Sequence, residues 1–438
     1  MSCQPQCASK SLNTSLRTMT RLFCAGVLAT TTWMQAQTLT VLHTFTLGPD
    51  GGKPTAGLTP DAAGNLYGTT YSGGPLNEQC FDGGCGVVFK MTHGGSGWIL
   101  TPLYSFGSLP DGQGPQSRVI FGPDGALYGT TYSGGAHECC GTVFKLQPPA
   151  NSCGSFSCPW RETILYSFTS LADGAHPTAE VVFDRVGNLY GTTSEGGGGP
   201  CEVGCGTVFE LSPNGNGTWS KSTLHSFQGG ASDGASPDSA LLFDSAGNLY
   251  GTTYLGGDYD CYSAPTCGTV FELTPSGSGW TEKVLHIFAD GPDGGNPAGL
   301  VFDSEGNLYG AASSGPGEFG AGTIFELTPN QGGGWTFTVP YTFTDSGASF
   351  PNAPTMDAAG NIYGGSQNGG VYGTGAAYKL TRSNGGWSYA TLGSFEFQGA
   401  SGSLPEGTVV VDAQGNVYGA CYVGPPPHNG GTVWEITP

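Results

Sequence analysis

Charged residues are scarce in this chain. They make up 11% of its 438 residues, and only 13 residues are Lys or Arg. Long surface helices need Glu, Lys and Arg, so this composition argues against a helical fold. Gly, Thr, Tyr, Phe and Val are abundant instead, and they favour short strands joined by tight turns. Because large apolar residues recur at regular spacing, disorder is disfavoured and an all-β fold is predicted.

Positive charge and long apolar runs are also lacking. The 33 acidic residues outnumber the basic ones and give a formal net charge of −20. An acidic surface repels nucleic acid and anionic lipid, which argues against both as partners. No stretch after the N-terminus reaches the roughly 18 apolar residues of a membrane span. Acidity of this kind suits cations, neutral glycans or simple solubility.

The N-terminus has the pattern of an export signal. Lys10, Arg17 and Arg21 precede an apolar stretch over 22–28, and Ala36 supplies a small residue for cleavage. We therefore predict a signal peptide over 1–36 and one mature domain over 37–438. The mature protein is expected to be secreted, extracellular or periplasmic.

Cysteine usage agrees with export. Of the 14 cysteines, ten lie in close pairs in the mature chain: Cys80 and Cys85, Cys139 and Cys140, Cys153 and Cys158, Cys201 and Cys205, Cys261 and Cys267. Such pairs indicate small loop-closing disulfides. Zinc ligation is the alternative, but the sequence has no pair of CxxC motifs. The adjacent Cys139 and Cys140 either bridge each other or pair elsewhere, and Cys421 is left over.

One segment, Gly64-Asn65-Leu66-Tyr67-Gly68-Thr69-Thr70, recurs along the chain at steps of 54 to 62 residues. Its tyrosine reappears at Tyr128, Tyr190, Tyr250, Tyr309, Tyr363 and Tyr418. A second marker is a phenylalanine at Phe45, Phe106, Phe168, Phe227, Phe288, Phe343 and Phe395. Both markers count seven repeats, a number that must be settled before any other fold assignment.

Each repeat contains four strand-like runs separated by turn signals. In the fifth copy we expect them at 299–303, 307–311, 322–328 and 335–343. Four strands per repeat is the pattern of a propeller blade. The sequence therefore predicts a seven-bladed β-propeller.

The ends of the mature chain indicate how the ring closes. The chain begins with an outer-type strand over 37–45 that lacks inner strands of its own. It ends with a third strand over 431–438 that has no fourth strand after it. The N-terminal strand should thus complete the last blade, which removes exposed sheet edges.

The repeat resembles the GloVer extracellular tandem repeat. The resemblance rests on Gly-Asn-Leu-Tyr-Gly-Thr-Thr, a Gly-Gly loop, Gly-Thr-Val-Phe-Glu-Leu-Thr-Pro and Leu-Tyr-Ser-Phe, and it covers nearly the whole mature chain. It implies a bacterial exported protein and offers no catalytic residues to transfer. Relatives carry various C-terminal anchors, whereas this sequence stops at Pro438 without a sorting tail, which favours release.

Two sets of acidic residues recur. One ends each inner strand before a turn, and a turn-organising role explains its presence in every blade: Asp61, Asp124, Asp184, Asp244, Asp303, Asp357 and Asp412. The other lies in Asp-Gly loops at Asp50, Asp111, Asp173, Asp233 and Asp293. Clustered carboxylates there are candidates for Ca²⁺, with simple turns as the alternative.

The Gly-rich loops differ most between copies, which is where repeat proteins usually carry function. Candidate binding residues on them are Tyr71, Tyr132, Tyr254, Asp258 and Tyr259. Tyrosine rings beside carboxylates suit sugar binding, and packing over the disulfides is the alternative. His43, His225 and His286 replace a tyrosine of the outer strand and are interpreted as packing variants.

The catalytic signal is weak. His137 and Glu138 form the only His-acid pair on these loops and are the candidate general base or metal ligand. No nucleophile elbow, His-Glu-x-x-His motif or phosphate loop occurs. We therefore expect a monomeric binding or scaffold module for a glycan or an extracellular protein. A polysaccharide lyase or glycoside hydrolase with its site at the channel mouth is the alternative.

Overall fold

The computed structural model describes residues 37–438 except 77–79, 81–82, 96, 150–158, 170–171, 258–267, 278, 290, 316–319, 345–346 and 384–385. Gln37–Pro438 forms one compact unit. The predicted signal peptide over 1–36 lies outside the described residues. In the part of the chain that the structure describes, no helix is both long and apolar enough to cross a membrane.

Seven antiparallel sheets form the blades of a propeller, as the repeat count predicted. Within each blade the strands run in order from an inner strand beside the central channel to an outer strand at the circumference of the propeller. Blade 1 comprises Thr59–Pro60, Leu66–Thr70, Val87–Gly94 and Gly97–Ser105. Blade 2 comprises Ile120–Phe121, Leu127–Thr131, Thr142–Gln147 and Arg161–Ser167. Blade 3 comprises Val182–Phe183, Leu189–Thr193, Thr207–Asn214 and Thr218–Ser226.

The remaining blades repeat this order. Blade 4 comprises Leu242–Phe243, Leu249–Thr253, Thr269–Ser276 and Gly279–Ile287, and blade 5 comprises Gly295–Phe302, Leu308–Ser314, Thr323–Pro329 and Trp335–Thr342. Blade 6 comprises Ala348–Pro351 with Thr355–Met356, then Ile362–Gly369, Ala376–Ser383 and Gly386–Ser394. Blade 7 comprises Ser403–Val411, Val417–Val423, Thr432–Thr437 and the N-terminal Thr38–Thr44. Small additions are the paired strands Gly112–Gln113 with Ser133–Gly134 and Gly234–Ala235 with Leu255–Gly256, and a 3-10 turn at Gly230–Ser232.

Ring closure follows the prediction from the chain ends. Thr38–Thr44 pairs antiparallel with Thr432–Thr437, with Thr38 opposite Thr437 and Thr44 opposite Thr432. Beyond this strand, the Phe45 amide donates a hydrogen bond to the Gly431 carbonyl at 3.0 Å. The N-terminal strand therefore supplies the fourth strand of blade 7 and covers its edge.

The hydrophobic cores lie between successive blades. Between blades 1 and 2, Tyr67, Val88 and Phe106 pack against Leu127 and Phe144. Seven such clusters occur in the described residues, one at each junction. Because every blade shares its core with both neighbours, the second and third strands are buried while the outer strand alternates between partly buried and exposed positions.

The glycine of the Leu-Tyr-Gly motif makes room for this packing. A Cβ on Gly68 would lie 2.5 Å from the ring of Phe89, which belongs to the neighbouring strand. Gly129 and Gly251 have the same relation to Phe144 and Phe271. The Gly of the second strand and the Phe of the third strand are therefore one packing unit within a blade, and this unit recurs from blade to blade.

The first acidic set organises the turn between the inner and second strands, as predicted. In blade 3, Oδ1 of Asp184 accepts hydrogen bonds from the amides of Val186, Gly187 and Asn188. Its Oδ2 accepts bonds from the Asn188 side chain at 2.8 Å and from the Tyr190 hydroxyl at 3.2 Å. These turns and the hairpins after the third strands lie on one face of the propeller. The Gly-rich loops and the Asp-Gly loops lie on the other, which we call the loop face.

Candidate functional site

A central channel runs between the inner strands. Each blade lines it with the residues that follow a proline at the start of the inner-strand segment: 55–57, 116–118, 178–180, 238–240, 298–301, 352–356 and 407–408. The channel encloses a cavity of about 470 Å³. Since the residues just after these prolines differ from blade to blade, the wall is chemically asymmetric although the backbone repeats.

Charged groups occur at two places in this wall. Arg118 of blade 2 and Glu180 of blade 3 form a two-pronged ion pair, with Nη2 of Arg118 at 2.8 Å from Oε1 of Glu180. Asp238 of blade 4 lies farther round the ring. It is exposed to the water of the channel, yet the surrounding wall withdraws it from bulk solvent and raises the pKa of its carboxyl.

The rim of the channel on the loop face is built from two residues per blade. The first directly follows the Gly-Thr-Thr of the second strand or its equivalent: Tyr71, Tyr132, Ser194, Tyr254, Ser313, Gln367 and Tyr422. The second precedes the proline of the next blade and has a left-handed backbone with φ between 52° and 63°: Lys53, Gly114, His176, Ser236, Asn296, Phe350 and Leu404. In blade 3, for example, the His176 amide donates to the Cys140 carbonyl of blade 2 at 3.0 Å. These residues thus connect neighbouring blades around the rim.

Three of the four rim tyrosines are engaged in packing. Tyr132 stacks on His176 with ring centroids 4.1 Å apart. Tyr422 lies under the Lys53 ammonium, which is 5.5 Å from the ring centroid. Tyr71 lies beside the Cys80–Cys85 disulfide and against Gly114, where an added Cβ would be 2.8 Å from its ring. For Tyr71, packing near a disulfide is therefore what the structure shows.

Tyr254 differs from the other three because its side chain faces an open pocket. It is 40% exposed and borders a cavity of about 230 Å³ that is also lined by Asp238, Ser313, Asn352 and Gln367. Partial burial, and then the nearby Asp238 carboxylate, raise the pKa of its hydroxyl. The pocket thus combines one exposed aromatic ring with hydrogen-bonding groups from blades 4, 5 and 6, where the loop face meets the channel.

The other predicted site residues do not converge on this pocket. His137 and Glu138 are both exposed on the loop of blade 2. Neither belongs to the channel wall or to the Tyr254 pocket. Asp258 and Tyr259 lie outside the described residues.

The five calcium candidates lie in separate loops and are already used as hydrogen-bond acceptors. Asp111 accepts bonds from the Tyr104 hydroxyl at 2.9 Å and from the amides of Gly107 and Gly112, each at 2.8 Å. Corresponding bonds from an outer-strand Tyr or His are made to Asp50, Asp173 and Asp293. Within the described residues the five carboxylates are not brought together, and only Asp233 has a second acidic side chain and a histidine close enough to share an ion. The loops thus have the turn geometry that was the alternative to calcium binding.

Three local disulfides are formed among the described residues. Cys80 pairs with Cys85 and Cys201 with Cys205, as predicted, and the adjacent Cys139 and Cys140 pair with each other. Cys421 is a buried free thiol. The pairs Cys153–Cys158 and Cys261–Cys267 lie outside the described residues. Local disulfides of this kind suggest an extracellular setting.

The sequence analysis did not identify the channel wall or most of the rim, including the fourth rim tyrosine, Tyr422. Tyr422 occupies the same repeat position as Tyr71, so the motif alignment contained the signal for it. Asp238, Asn352 and Gln116 directly follow the repeated proline, and their divergence at a fixed position was a second available signal.

Comparison with known proteins agrees with the repeat analysis. The model of the Gloeobacter/Verrucomicrobia repeat matches residues 24–265, 154–333 and 261–438, which together reach the C-terminus. The chain belongs to this repeat family. No curated protein matches the sequence.

Two solved structures show distant likeness to this repeat protein. One is PorZ, a bacterial surface component of the type-IX secretion system of Porphyromonas gingivalis, with 13% identity and a TM-score of 0.48 over 88% of this chain. This chain spans 46% of PorZ. The other is a Dyadobacter fermentans protein of unknown function, with 12% identity and a TM-score of 0.41 over 81% of this chain and 98% of that one.

Proposed function

We propose that this propeller is an extracellular binding module that takes a neutral glycan at the channel mouth on its loop face. The observation that carries the proposal is the pocket around Tyr254, where an exposed aromatic ring lies beside Asp238, Asn352, Gln367 and Ser313. Sugar rings bind proteins through such a combination, because an aromatic face covers the C–H groups while polar side chains bind hydroxyls.

Charge supports a neutral ligand over an anionic one. The chain carries a net charge of −20, and the cationic Arg118 in the channel wall is already paired with Glu180. A polyanionic chain entering the mouth would be repelled by this field. Hydroxyl-rich neutral polysaccharides are therefore the preferred class, and a surface protein bound through its glycans fits the same site.

Export supports the same function. The local disulfides favour an oxidising compartment, and the N-terminal pattern over 1–36 predicts a signal peptide. We propose that the mature chain is exported, to the extracellular space or the periplasm, and acts there as a monomer. Its ligand would then be found on a cell surface or in the surrounding matrix.

The experiment is a glycan-array screen of the secreted protein followed by calorimetry on the best ligand. Tyr254→Ser is the informative variant, because Ser194 and Ser313 occupy the same repeat position and show that the fold accepts serine there. We expect at least a tenfold loss of affinity. Val186→Ser is the control, since Val186 is 82% exposed on the opposite face. Unchanged binding by Tyr254→Ser would refute the proposed site.

A catalytic role at the same pocket is the second candidate. Asp238 lines this pocket, and its carboxyl is the group there that would act as a proton donor in polysaccharide cleavage. The glycan experiment separates the two functions when product is analysed. Binding without shortened or unsaturated products supports the binding module, whereas product release that Asp238→Asn abolishes supports an enzyme.

A further inference from the structure

A group of three potential metal ligands lies at the junction of blades 3 and 4, away from the channel. His225 belongs to the outer strand of blade 3, Asp233 to the loop that leads into blade 4, and Glu282 to the outer strand of blade 4. One ligand atom of each lies within 4.8 Å of the other two. Among the described residues, no other three His, Cys, Asp or Glu side chains meet this condition.

The first two ligands are held in place by the surrounding structure. Asp233 is 8% exposed, and its two carboxylate oxygens accept hydrogen bonds from the amides of Gln228 at 2.8 Å and Gly234 at 2.7 Å. The His225 ring packs edge-on against Phe227, with ring centroids 4.7 Å apart. Both side chains are therefore oriented before any ion arrives.

Two polar atoms in this group are buried without a hydrogen-bond partner in the described part of the chain. They are Nε2 of His225 and Oε1 of Glu282. A buried polar atom that has lost its water and gained no partner destabilises the folded protein, so such atoms require an explanation. A bound cation that accepts a lone pair from each would satisfy both at once.

The equivalent positions in other blades show that this junction is different. His43 and His286 bond to their aspartates at 3.0 and 3.2 Å, whereas Nε2 of His225 stands 3.4 Å from Oδ2 of Asp233 without a hydrogen bond. The residue at the position of Glu282, two after the repeated tryptophan, is Leu100 at the first of these junctions and Phe337 at the second. Phe337 stacks on His286, with ring centroids 3.6 Å apart. In the described part of the chain, these two histidine junctions therefore have no third ligand.

The remaining comparisons point the same way. At the junction of blades 1 and 2, the third position is also acidic, as Glu162, and its Oε1 is likewise buried without a hydrogen-bond partner, but Tyr104 replaces the histidine. At the junction of blades 2 and 3, the third position is Lys221, whose ammonium donates to the Asp173 carbonyl at 2.6 Å. A cation is thus accommodated at this place in one neighbouring junction. Only the junction of blades 3 and 4 combines histidine, aspartate and glutamate among those described.

We propose that His225, Asp233 and Glu282 bind a divalent transition-metal ion of the zinc type. A neutral imidazole and two carboxylates are ligands that Zn²⁺ accepts at about 2.0–2.2 Å, and the two carboxylates balance its charge. Tetrahedral ligands at those bond lengths are about 3.3 Å apart, close to the 3.4 Å between His225 and Asp233. An imidazole ligand disfavours Ca²⁺, which takes oxygen ligands. This site is independent of the proposed glycan pocket.

The test uses the full secreted chain, stripped with EDTA and titrated with ZnCl₂ by calorimetry and thermal melting. We expect one zinc per chain, micromolar or tighter affinity, and a Tm that rises with zinc. Two variants remove a ligand by installing the residue of another blade: Glu282→Leu, as in Leu100, and His225→Tyr, as in Tyr104. Each should lower zinc affinity at least tenfold and abolish the Tm rise.

His286→Tyr is the matched control, because it changes a histidine of the same outer-strand position at a junction without a third ligand. It should leave zinc binding unchanged. The proposal is overturned if the native chain binds no stoichiometric zinc, or if both ligand variants bind it as well as the native chain. It is also overturned if Ca²⁺ raises the Tm more than Zn²⁺ at equal concentration. Should Glu282→Leu fail to fold, His225→Tyr decides alone.

Discussion

The guanidinium of Arg118 and the carboxylate of Glu180 meet across the joint between blades 2 and 3, with Nη2 and Oε1 2.8 Å apart. Their side chains are 27% and 21% exposed to the channel. The pair is therefore intermediate between a fully solvated surface contact, worth about 0–1 kcal/mol, and a dry ion pair, whose disruption costs about 3–5 kcal/mol. It connects two blades that also share hydrophobic packing and a hydrogen bond from the Thr130 hydroxyl to the Ala179 carbonyl at 3.1 Å.

Removing both partners should cost less than the two single removals added together. We expect Arg118→Ala to lower the free energy of unfolding by about 2 kcal/mol, because Glu180 then faces the channel without its cation. Arg118→Ala with Glu180→Ala should lose less than the two single changes added together. Ala240 occupies the same position in blade 4, so alanine fits this wall. Urea denaturation of the four proteins measures the coupling energy, and strictly additive losses would contradict a contribution from the pair.

The stability of the protein should depend on the protonation of Glu406 in blade 7. Burial raises the pKa of this carboxyl from 4.5 to about 7. A carboxyl with a raised pKa contributes stability that is present below pH 4.5 and is lost as the pH rises through 7. Glu406→Gln removes this dependence, so the variant should be more stable than the native chain at pH 8 by at most about 3 kcal/mol.

Thermal melting of both proteins from pH 4 to pH 8 checks this prediction. The Tm difference should be small at pH 4 and should grow between pH 5 and 8. Glu396→Gln is the control, because Glu396 is exposed in the loop that precedes blade 7. Parallel Tm profiles for native protein and Glu406→Gln would show that Glu406 is not the titrating group.

The repeat made much of this architecture predictable. The markers Tyr67 and Phe45 recur with every blade, so counting them predicts the number of sheets and the closing strand. The inner strand of blade 5 was expected at 299–303 and is Gly295–Phe302, since it begins before an irregularity between Pro297 and Leu300. A period locates strands well and their ends less well, because ends depend on local backbone geometry.

The sites were harder to predict because their residues come from different blades. Asp238 follows a proline in blade 4, and Asn352 follows one in blade 6. Only the closed ring brings them to one pocket. His225 was interpreted as a packing variant of a tyrosine, and its own blade gives no other signal. Its distinctive neighbour, Glu282, lies 57 residues later along the chain, so the pattern within one repeat could not reveal the pair.

The Asp-centred turns should be individually important for stability. In blade 3 the Asp184 carboxylate accepts five hydrogen bonds. Asp184→Ala removes every acceptor, so we expect a loss of about 2 kcal/mol in the free energy of unfolding. Asp184→Asn keeps one oxygen and should lose less. Arg185→Ala, at an exposed position of the same turn, should stay within about 0.5 kcal/mol of the native value. Equal stabilities for both alanine variants would show that the turn forms without the carboxylate.

The closing strand should be the place where the ring opens first. Phe45 anchors it with no exposed surface and packs on Phe89 at a centroid distance of 5.3 Å. Phe227 has the same burial and a similar distance, 5.2 Å, to Phe271, but its strand continues directly from the third strand of its own blade. Replacing either ring by alanine should cost about 3–5 kcal/mol. The two variants should differ in which part of the ring opens. The strand before Phe45 is held in blade 7 by strand pairing and packing, whereas the strand before Phe227 is also connected along the chain to the third strand of its own blade.

Hydrogen exchange read by mass spectrometry separates the two cases. Phe45→Ala should speed amide exchange in Thr38–Thr44 and in its partner Thr432–Thr437, because local opening requires less free energy than global unfolding. The freed edge should also increase aggregation. Phe227→Ala should leave exchange in these two strands unchanged relative to the rest of the ring. If both variants speed exchange uniformly around the propeller, the closing strand is held as firmly as a covalently continuous one, and opening would be a property of the whole ring.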